Sequence, residues 1–542
     1  MIPAGRRPWP AATVALLALA TTITTLGHDF TYDDRGVIFE NERVHSLAHL
    51  PHMFVETYWP PKYGGDGYRP VVMVMYALQW AARGGAPWIF HLVNILLAVA
   101  ASVAVYWCAR AILPELAAWV AGALFAVHPV HVEVTGNVVG QSELIVALCL
   151  CIAVGLYLRQ RLSPARELGS RAILVITALF AVALFTKEHA IVLPGILLAA
   201  EATVIADEAW SVRLRRARLL LLLLVMVASA YLLARSLVQR DLTGFVAFPI
   251  FRFLHMSAVD RIGTMMNEMP AVAQLLVLPT HLSGDYSPSD VIVASGFSLT
   301  QLPGIVICLG VVVLALVFRQ RAPVVSFGLL WLMVAFLPVS NLVVPAGFVV
   351  AERTLFFPSV GVMLIAGAIV ASGERRRLVL GVAAVLLAAG MARSIDRQRV
   401  WKNNDTFFTA LMRDAPNGYR AHFLYARHVG LKSRLTEMER EYRKAIRIFP
   451  YDAAMTLSVA DAYTRAGICQ PAVTLFEWTF TVDPTIGEGR YQYVYCLAKL
   501  GRWSDVRREA LSGLRLVAPR DIKLMREAVH QANLALARKQ SS

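Results

Sequence analysis

The feature that most constrains the fold of this chain is a series of apolar runs, each roughly twenty residues long, which recur through about three quarters of its 542 residues. Hydrophobic residues make up 57% of the chain and charged residues only 16%. A helix of about 20 apolar residues is long enough to cross the hydrocarbon core of a bilayer. The runs and the composition together predict an all-α, polytopic membrane protein.

The basic residues indicate how the chain is oriented in the membrane. The net charge of +15 could suggest binding to nucleic acid, but the basic residues cluster beside apolar segments, as in the stretch from Arg213 to Arg218. Such clusters mark the cytoplasmic ends of spans, so we expect no nucleic-acid partner. Arg6 and Arg7 precede an apolar run that lacks a convincing cleavage site. We therefore predict an uncleaved signal anchor with a cytoplasmic N-terminus.

We predict about eleven spans and an extracytoplasmic C-terminus. The stretch 70–83 is expected to lie flat at the interface, and the stretch 265–282 is expected to be re-entrant or interfacial. Counting the latter as a span would export the basic run Arg375 to Arg377. The outer loops then cover about 28–87 and 236–300. The predicted spans are 9–26, 87–109, 116–132, 144–158, 172–185, 189–205, 219–234, 302–318, 324–342, 355–370 and 379–392.

The tail of the chain has a different periodicity. Pro416, Pro450, Pro484 and Pro519 recur at spacings of 34, 34 and 35 residues, which is typical of tetratricopeptide repeats. We predict a membrane domain at 1–393, a linker helix at 394–416 and an α-solenoid at 417–542, with repeats at about 417–450, 451–484 and 485–519. Such repeats commonly hold peptides or helices on a concave face. The predicted consensus positions are Ala426, Ala445, Ala460, Tyr463, Ala472 and Phe476.

The six cysteines do not form a recognisable pattern. Four of them lie inside apolar segments, and Cys469 and Cys496 lie in the tail without the spacing of a metal site. The sequence therefore predicts neither a disulfide framework nor a zinc site.

Asp33 and Asp34 stand side by side just after the first apolar run, at the predicted outer edge of the membrane. Adjacent carboxylates can supply a general base and a hydrogen-bonding or cation-binding partner, because their repulsion separates their proton affinities. An isolated pair of this kind is more often a solvated acidic turn. If the chain is an enzyme, we expect Asp33 to be the base and Asp34 to orient it or the acceptor, and the adjacent positions make the reverse assignment nearly as good.

Several short motifs, together with the repeats, carry a resemblance that covers nearly the whole chain. They are YDD at 32–34, YRP at 68–70, HLVN at 91–94, HPVHVE at 128–133, KEHA at 187–190 and SNLVVPAGFVVAERTLFFPS at 340–359. The sequence resembles the transmembrane-and-tetratricopeptide-repeat O-mannosyltransferases, a branch of the C-type membrane glycosyltransferase superfamily. One departure is Gln141, where members of that family usually carry an arginine.

The resemblance implies a substrate and a location. The donor would be undecaprenyl- or dolichyl-phosphate mannose, and the acceptor would be a serine or threonine hydroxyl of a protein, with the repeats on the extracytoplasmic side. The missing arginine at Gln141 bears on the binding of the donor phosphate or on the choice of sugar. No other cofactor is implied, and a divalent cation at the acidic pair stays open.

Transfer from a lipid-phosphate sugar needs cations to hold the departing phosphate as well as a base. Arg353, Lys187 and Arg69 are predicted near the same membrane face. Each could instead be an interfacial anchor whose charged end reaches the aqueous phase. A single displacement would invert the anomeric centre, whereas retention would need a carboxylate nucleophile, and the sequence does not separate these mechanisms.

Further polar residues of the motifs are candidates for a cavity that binds substrate. His128, His131 and Glu133 could also be interpreted as a metal site, but Pro129 disturbs the turn between them, and no metal site is predicted. Asp285 either binds the acceptor or forms a turn. The candidates are Tyr68, His128, His131, Glu133, Glu143, Glu188, Asp285 and Glu352.

Two other functions are compatible with the sequence. A membrane-anchored repeat scaffold without catalysis would tolerate substitution of Asp33 and Asp34 but not of the concave repeat face. A transporter of lipid-linked sugars would commonly show two related halves, and the membrane part shows no such internal symmetry.

Overall fold

The computed structural model describes residues 9–63, 65–205, 208–239, 256–287, 291–373 and 375–540. Across these residues the regular structure is helical, and the one β-type contact is an isolated bridge between Tyr286 and Val350. The predicted all-α class is confirmed. The chain forms two compact units, of which the first holds the described residues up to 239 with 260–286 and 291–415, and the second is formed mainly by 416–540.

The first unit contains fifteen α-helices within the described ranges. They are α1 (Trp9–Thr22), α2 (Pro70–Arg83), α3 (Pro87–Ala109), α4 (Glu115–Val127), α5 (Val132–Gly136), α6 (Gln141–Arg161), α7 (Ser170–Thr186), α8 (Leu193–Ala202), α9 (Trp210–Gln239), α10 (Ala258–Val277), α11 (Leu302–Arg321), α12 (Pro323–Phe336), α13 (Ser359–Ala371), α14 (Arg376–Gln398) and α15 (Asn404–Asp414).

Many of these helices are suited to a bilayer. Six described stretches are long and apolar enough to cross it, namely 9–27, 87–109, 138–161, 210–239, 299–321 and 376–402. Three shorter apolar stretches cover 170–186, 323–339 and 359–371. Neither α2 nor α10 is among these candidates. The interfacial position expected for 70–83 and the re-entrant or interfacial position expected for 265–282 stay predictions. The number of eleven spans and their orientation stay predictions.

The segment expected at 116–132 is broken in the structure. The helices α4 and α5 are bent by 48° relative to each other, and they become a seventh candidate span only if the bent pair is counted as one. The break falls at His128 and Pro129, because proline has no N–H for the helical ladder and its ring clashes with the preceding turn. A short helix, α5, follows the break and carries Glu133.

Within residues 416–540, the second unit has three helical hairpins and a final helix. The second helices of the hairpins begin at residues 435, 469 and 503, which are 34 apart. The turn inside each hairpin has a residue with positive φ, and these residues, Ser433, Gly467 and Gly501, are also 34 apart. The assignment to tetratricopeptide repeats stays a prediction. The helices are α16 (Tyr419–Gly430), α17 (Leu435–Ile448), α18 (Ala453–Arg465), α19 (Cys469–Val482), α20 (Arg490–Lys499), α21 (Trp503–Gly513) and α22 (Pro519–Gln540).

Small residues let the paired helices approach closely. Ala426, Ala445, Ala460 and Ala472 are all buried at the positions that the 34-residue period indicates. Phe476 is buried beside them and Tyr463 is partly buried. The period thus identifies the core positions of this unit.

A disulfide joins consecutive hairpins of the second unit. It links Cys469 at the start of α19 to Cys496 in α20, with the two Cα atoms 5.0 Å apart. The sequence predicted no disulfide framework, and that prediction missed this bond. The two cysteines are 27 residues apart in the sequence, and only the stacking of one hairpin on the next brings them together.

Replacing Cys469 and Cys496 together with alanine should lower the free energy of unfolding of the repeat unit by about 2–4 kcal/mol, because the cross-link restricts the unfolded chain. Thermal unfolding of the full chain in detergent, followed by circular dichroism, measures this. Cys308→Ala, which removes a cysteine outside the disulfide, is the control. Equal labelling of all six cysteines by maleimide in denatured, unreduced protein would contradict the disulfide.

Candidate active site

A cavity of about 760 Å³ opens in the first unit between segments that are far apart in the sequence. Six residues singled out by the sequence line it: Asp33, Arg69, Glu143, Lys187, Glu188 and Arg353. Aromatic side chains, including Trp59 and Phe348, supply part of its apolar wall. The six residues comprise three carboxylates and three cations, and the cavity combines them with aromatic surface.

The two adjacent aspartates face different surroundings. Asp33 lines the cavity. Asp34 is fully buried and accepts hydrogen bonds from the backbone N–H groups of Thr31 (3.2 Å), Val138 (3.2 Å) and Val139 (2.9 Å). Burial raises the pKa of Asp34 to about 7, although the three N–H donors act in the opposite direction. Asp34 thus ties the loop after α1 to the turn before α6, and only Asp33 is placed to meet a ligand.

Arg69 and Arg353 are held in similar ways. Glu188 accepts two hydrogen bonds from Arg69, at 3.0 Å from Nε and 2.7 Å from Nη2. Glu133 accepts from the guanidinium of Arg353 and, at 2.8 Å, from its backbone N–H. Burial alone would lower the pKa of both arginines, but the neighbouring carboxylates raise it above the ordinary value. Both side chains therefore stay charged.

Aromatic rings fix the planes of these two guanidinium groups. Arg69 lies over the ring of Tyr58 at 4.8 Å from the centroid, and Arg353 lies over Phe348 at 5.5 Å. A carboxylate at the edge and a ring at the face leave few orientations open to each side chain. The remaining N–H donors are thereby set in advance for an anion.

Lys187 belongs to a third charged group. Its Nζ atom donates to Glu143 Oε1 at 2.7 Å, and His189 Nε2 lies 3.2 Å from the other oxygen of that carboxylate. Burial lowers the pKa of Lys187, while Glu143 partly restores it. All three side chains line the cavity. A lysine of this kind offers a point charge to an incoming ligand.

Glu352 lies outside the cavity lining and holds a loop instead. Its Oε1 atom accepts from Tyr286 Oη at 2.8 Å and from the Ser283 N–H at 2.6 Å. Asp285 belongs to the same loop, where its carbonyl accepts from Ser283 Oγ at 2.8 Å. Burial raises the pKa of Glu352 to about 8, with Arg397 acting in the opposite direction. Neither Glu352 nor Asp285 is therefore placed to meet a ligand in the cavity.

The remaining candidates have structural contacts. Tyr68 is buried and donates to the carbonyl of Phe54 at 2.8 Å. The nitrogens of His131 lie 2.8 Å from the carbonyl oxygen of Phe125 and 2.9 Å from Ser359 Oγ, so both are engaged. His128 accepts from the N–H of Val130, which caps the turn at the break after α4. Within the described ranges, no group of three or more His, Cys, Asp and Glu side chains is arranged to hold a metal ion.

Gln141, at the position where the resemblance implies an arginine, does not line the cavity. It forms a reciprocal amide pair with Gln79, with both N–O distances at 2.9 Å, and is fully buried. Its neighbours Gly140 and Ser142 do line the cavity. The departure at Gln141 therefore falls in the packing between α2 and α6 and leaves the cations of the cavity in place.

Sequence reasoning missed several residues of the cavity wall. His189 belongs to the quoted KEHA motif, which was the available signal. Arg235 lies at the end of the predicted span 219–234, where a charge at a membrane edge indicates function. Asp66 had no signal beyond its place in the first outer loop.

The curated relatives of this chain are protein O-mannosyltransferases. It is 23% identical over 451 residues to Protein O-mannosyl-transferase F38B6.6 of Caenorhabditis elegans, covering 80% of this chain and 62% of the relative. It is 25% identical over 505 residues to Protein O-mannosyl-transferase TMTC3 of Mus musculus, covering 85% and 53%. The chain thus spans little more than half the length of these relatives. No model of a protein family matches it.

Solved structures show a distant likeness. The crystal structure of ArnT from Cupriavidus metallidurans bound to undecaprenyl phosphate is 14% identical, with a TM-score of 0.41 over 95% of this chain and 82% of that one. The archaeal oligosaccharyltransferase AglB from Archaeoglobus fulgidus, in complex with an inhibitory peptide and a dolichol-phosphate, is 12% identical, with a TM-score of 0.42 over 82% and 60%. The apolar helices and the curated relatives support a multi-pass membrane protein.

Asp34→Asn should lower the free energy of unfolding by about 1–3 kcal/mol, because the new amide NH₂ faces a buried backbone N–H that then has no acceptor. Thermal unfolding of the purified protein in detergent measures the loss. Asp396→Asn, which changes an exposed carboxylate, is the matched control and should be neutral. A midpoint for Asp34→Asn equal to that of the control would contradict this role.

Glu352→Gln should make the free energy of unfolding less dependent on pH between about pH 4.5 and pH 8. The folded-state pKa of Glu352, about 8, lies above its ordinary value of 4.5. The contribution of this group is therefore fully present below pH 4.5 and is lost as the pH rises through 8, at up to about 1.4 kcal/mol per pH unit. Glutamine keeps the acceptor for Tyr286 and Ser283. The melting temperature is measured at several values between pH 5 and pH 8 for the wild type and for Glu352→Gln. The same change of melting temperature with pH in both proteins would disprove the expectation.

Proposed function

We propose that this chain, a relative of curated protein O-mannosyltransferases, transfers mannose from a polyprenyl-phosphate donor to serine or threonine hydroxyls of a protein acceptor. The observation that supports this most strongly is the single cavity wall shared by Asp33, Arg69, Lys187 and Arg353. A base and several cations at one surface are what a phosphate leaving group and a hydroxyl nucleophile require. The acceptor and the sugar rest on the names of the relatives.

The donor phosphate is assigned to the cations of the cavity. Arg69 and Arg353 each present a guanidinium whose plane is fixed by a carboxylate and a ring. Such groups can bind phosphate oxygens with two parallel hydrogen bonds, and Lys187 adds a point charge. Because these donors are oriented before the ligand arrives, they stabilise charge that develops on the phosphate with little reorganisation.

Asp33 is assigned as the general base. Its carboxylate takes the proton of the acceptor hydroxyl as the hydroxyl oxygen attacks the anomeric carbon of mannose. The bond from that carbon to the phosphate oxygen breaks, and its electron pair leaves with the polyprenyl phosphate. This single displacement inverts the anomeric centre. No carboxylate nucleophile is needed, since Asp33 acts on the acceptor and the cations act on the leaving group.

The repeat unit is assigned to the acceptor and to the extracytoplasmic side. Helical repeats of this kind hold extended or helical segments of partner proteins. The disulfide between Cys469 and Cys496 supports this location, because disulfides persist in oxidising compartments such as the bacterial periplasm or the endoplasmic reticulum. The N-terminus would then be cytoplasmic, as the odd number of predicted spans requires.

Asp33→Asn should lower kcat for mannose transfer at least 100-fold at an unchanged KM for the donor, because general-base catalysis commonly contributes 10² to 10⁴ in rate. The measurement is transfer of radiolabelled mannose from polyprenyl-phosphate mannose to periplasmic or secretory acceptor proteins, at equal amounts of folded enzyme. The exposed Asp396→Asn serves as the matched control.

Two results would redirect the assignment. Transfer by Asp33→Asn at the wild-type rate would remove Asp33 from the role of base. If the wild-type chain transfers none of several sugars while its tail binds partner proteins, the enzyme is rejected in favour of a membrane-anchored scaffold.

A further inference from the structure

The loop that carries Asp33 is anchored on two sides. On one side Asp34 accepts the N–H groups of Val138 and Val139. On the other side the loop contacts the segment 401–407, which follows α14 and was predicted to belong to a linker helix. Asp33 lies between the two anchors, so its position depends on both.

The second anchor consists of three hydrogen bonds that the loop donates to the segment 401–407. The N–H of Asp29 donates to the carbonyl of Lys402 at 2.9 Å. Thr31 Oγ1 donates to the carbonyl of Trp401 at 3.1 Å. The N–H of Tyr32 donates to Asn404 Oδ1 at 2.8 Å.

Tyr32 has an unusual backbone conformation at this point. Its φ is +55°, in the left-handed region that residues other than glycine rarely adopt. Its ring stacks on Phe407 at 5.0 Å between centroids and 23° between planes. The side chains of Asn404 and Phe407 therefore hold the backbone and the ring of Tyr32, whose conformation sets the direction of the next residue.

The segment 401–407 is itself firmly seated in the first unit. Trp401 and Phe407 are buried and lie 4.6 Å apart between ring centroids. Gly136 lies against Trp401 so closely that a Cβ atom there would come within 2.9 Å of the Trp401 side chain. Gln398, just before the segment, donates to Thr135 at 2.7 Å. The segment is thus a fixed support against which the loop can be held.

We propose that Asn404 and Phe407 are positioning residues, which hold Tyr32 in its left-handed conformation and thereby direct Asp33 into the cavity. This inference rests on the proposed function of Asp33. It makes the stretch after the last long apolar helix a component of the active site, although none of its residues lines the cavity.

Two neighbouring asparagines provide a matched pair of variants. Asn403 caps α15 by accepting the N–H of Thr406 at 3.0 Å. Asn403→Ala therefore destabilises α15 without removing the acceptor for Tyr32, whereas Asn404→Ala removes that acceptor. Asn404→Asp keeps an acceptor oxygen at the same place, and Phe407→Leu removes the stacked ring.

The first measurement is hydrogen–deuterium exchange of the peptide that contains residues 29–34, in the full-length protein and without substrate. Exchange at the Tyr32 amide should become at least tenfold faster in Asn404→Ala, and should stay at the wild-type rate in Asn403→Ala and Asn404→Asp. Unchanged exchange in Asn404→Ala would overturn the proposed anchor.

The second measurement is mannose transfer per folded enzyme. A misplacement of about 1 Å can lower a rate by 100-fold, so kcat of Asn404→Ala and Phe407→Leu should fall 10- to 100-fold while the KM for the donor stays within about twofold. Asn404→Asp should keep most of the rate, and Asn403→Ala should melt at a lower temperature but keep its kcat.

An equal loss of kcat in Asn403→Ala and Asn404→Ala would assign a merely structural role to Asn404. Absence of transfer by the wild type would reject the proposed function, and the exchange rates would still decide whether the anchor exists.

Discussion

The architecture of the cavity depends on the cost of burying charge. Each of its three best-defined cations is held by a carboxylate from a distant segment: Arg69 by Glu188, Lys187 by Glu143 and Arg353 by Glu133, which are 119, 44 and 220 residues apart. The three cations are partly buried, and Glu143 and Glu133 are buried. Removing the partner of a buried ion lowers the free energy of unfolding by several kcal/mol. The pairs therefore bring together segments that are far apart in the sequence, and the same contacts that compensate the charges orient the N–H donors of the cations.

The sequence predicted the helices and named six residues that line the cavity, most of which belong to motifs at the ends of apolar runs. It could not separate Asp33 from Asp34. Neighbouring residues in a loop share every sequence signal, and which of them enters the cavity depends on backbone donors at Val138 and Val139, more than a hundred residues away. Tyr68 and His131 illustrate the same limit, because their partners, Phe54 and Ser359, are known only from the fold.

Two further features lay beyond sequence reasoning for a related reason. The disulfide joins cysteines whose spacing of 27 residues has no meaning until one hairpin stacks on the next. Gln141 stands where a cation was implied, yet it pairs with Gln79 on another helix and fills a packing position. In both cases the local sequence specified the helix, and the packing of that helix against its neighbour decided what the side chain does. Sequence periodicity predicts the helix but does not predict how the helix packs against its neighbour.

The balance of charge in the cavity has a kinetic consequence. The carboxylates on its wall are Asp33, Asp66, Glu143 and Glu188, and the cations are Arg69, Lys187, Arg235 and Arg353. The proposed donor is a phosphodiester with one negative charge, whereas the phosphomonoester left after transfer carries more. The same guanidinium groups would therefore attract the spent carrier more strongly than the loaded one. Under the proposed function, departure of the carrier lipid is therefore the step expected to limit turnover, and faster clearance of that lipid by the surrounding membrane would raise the flux of glycosylation.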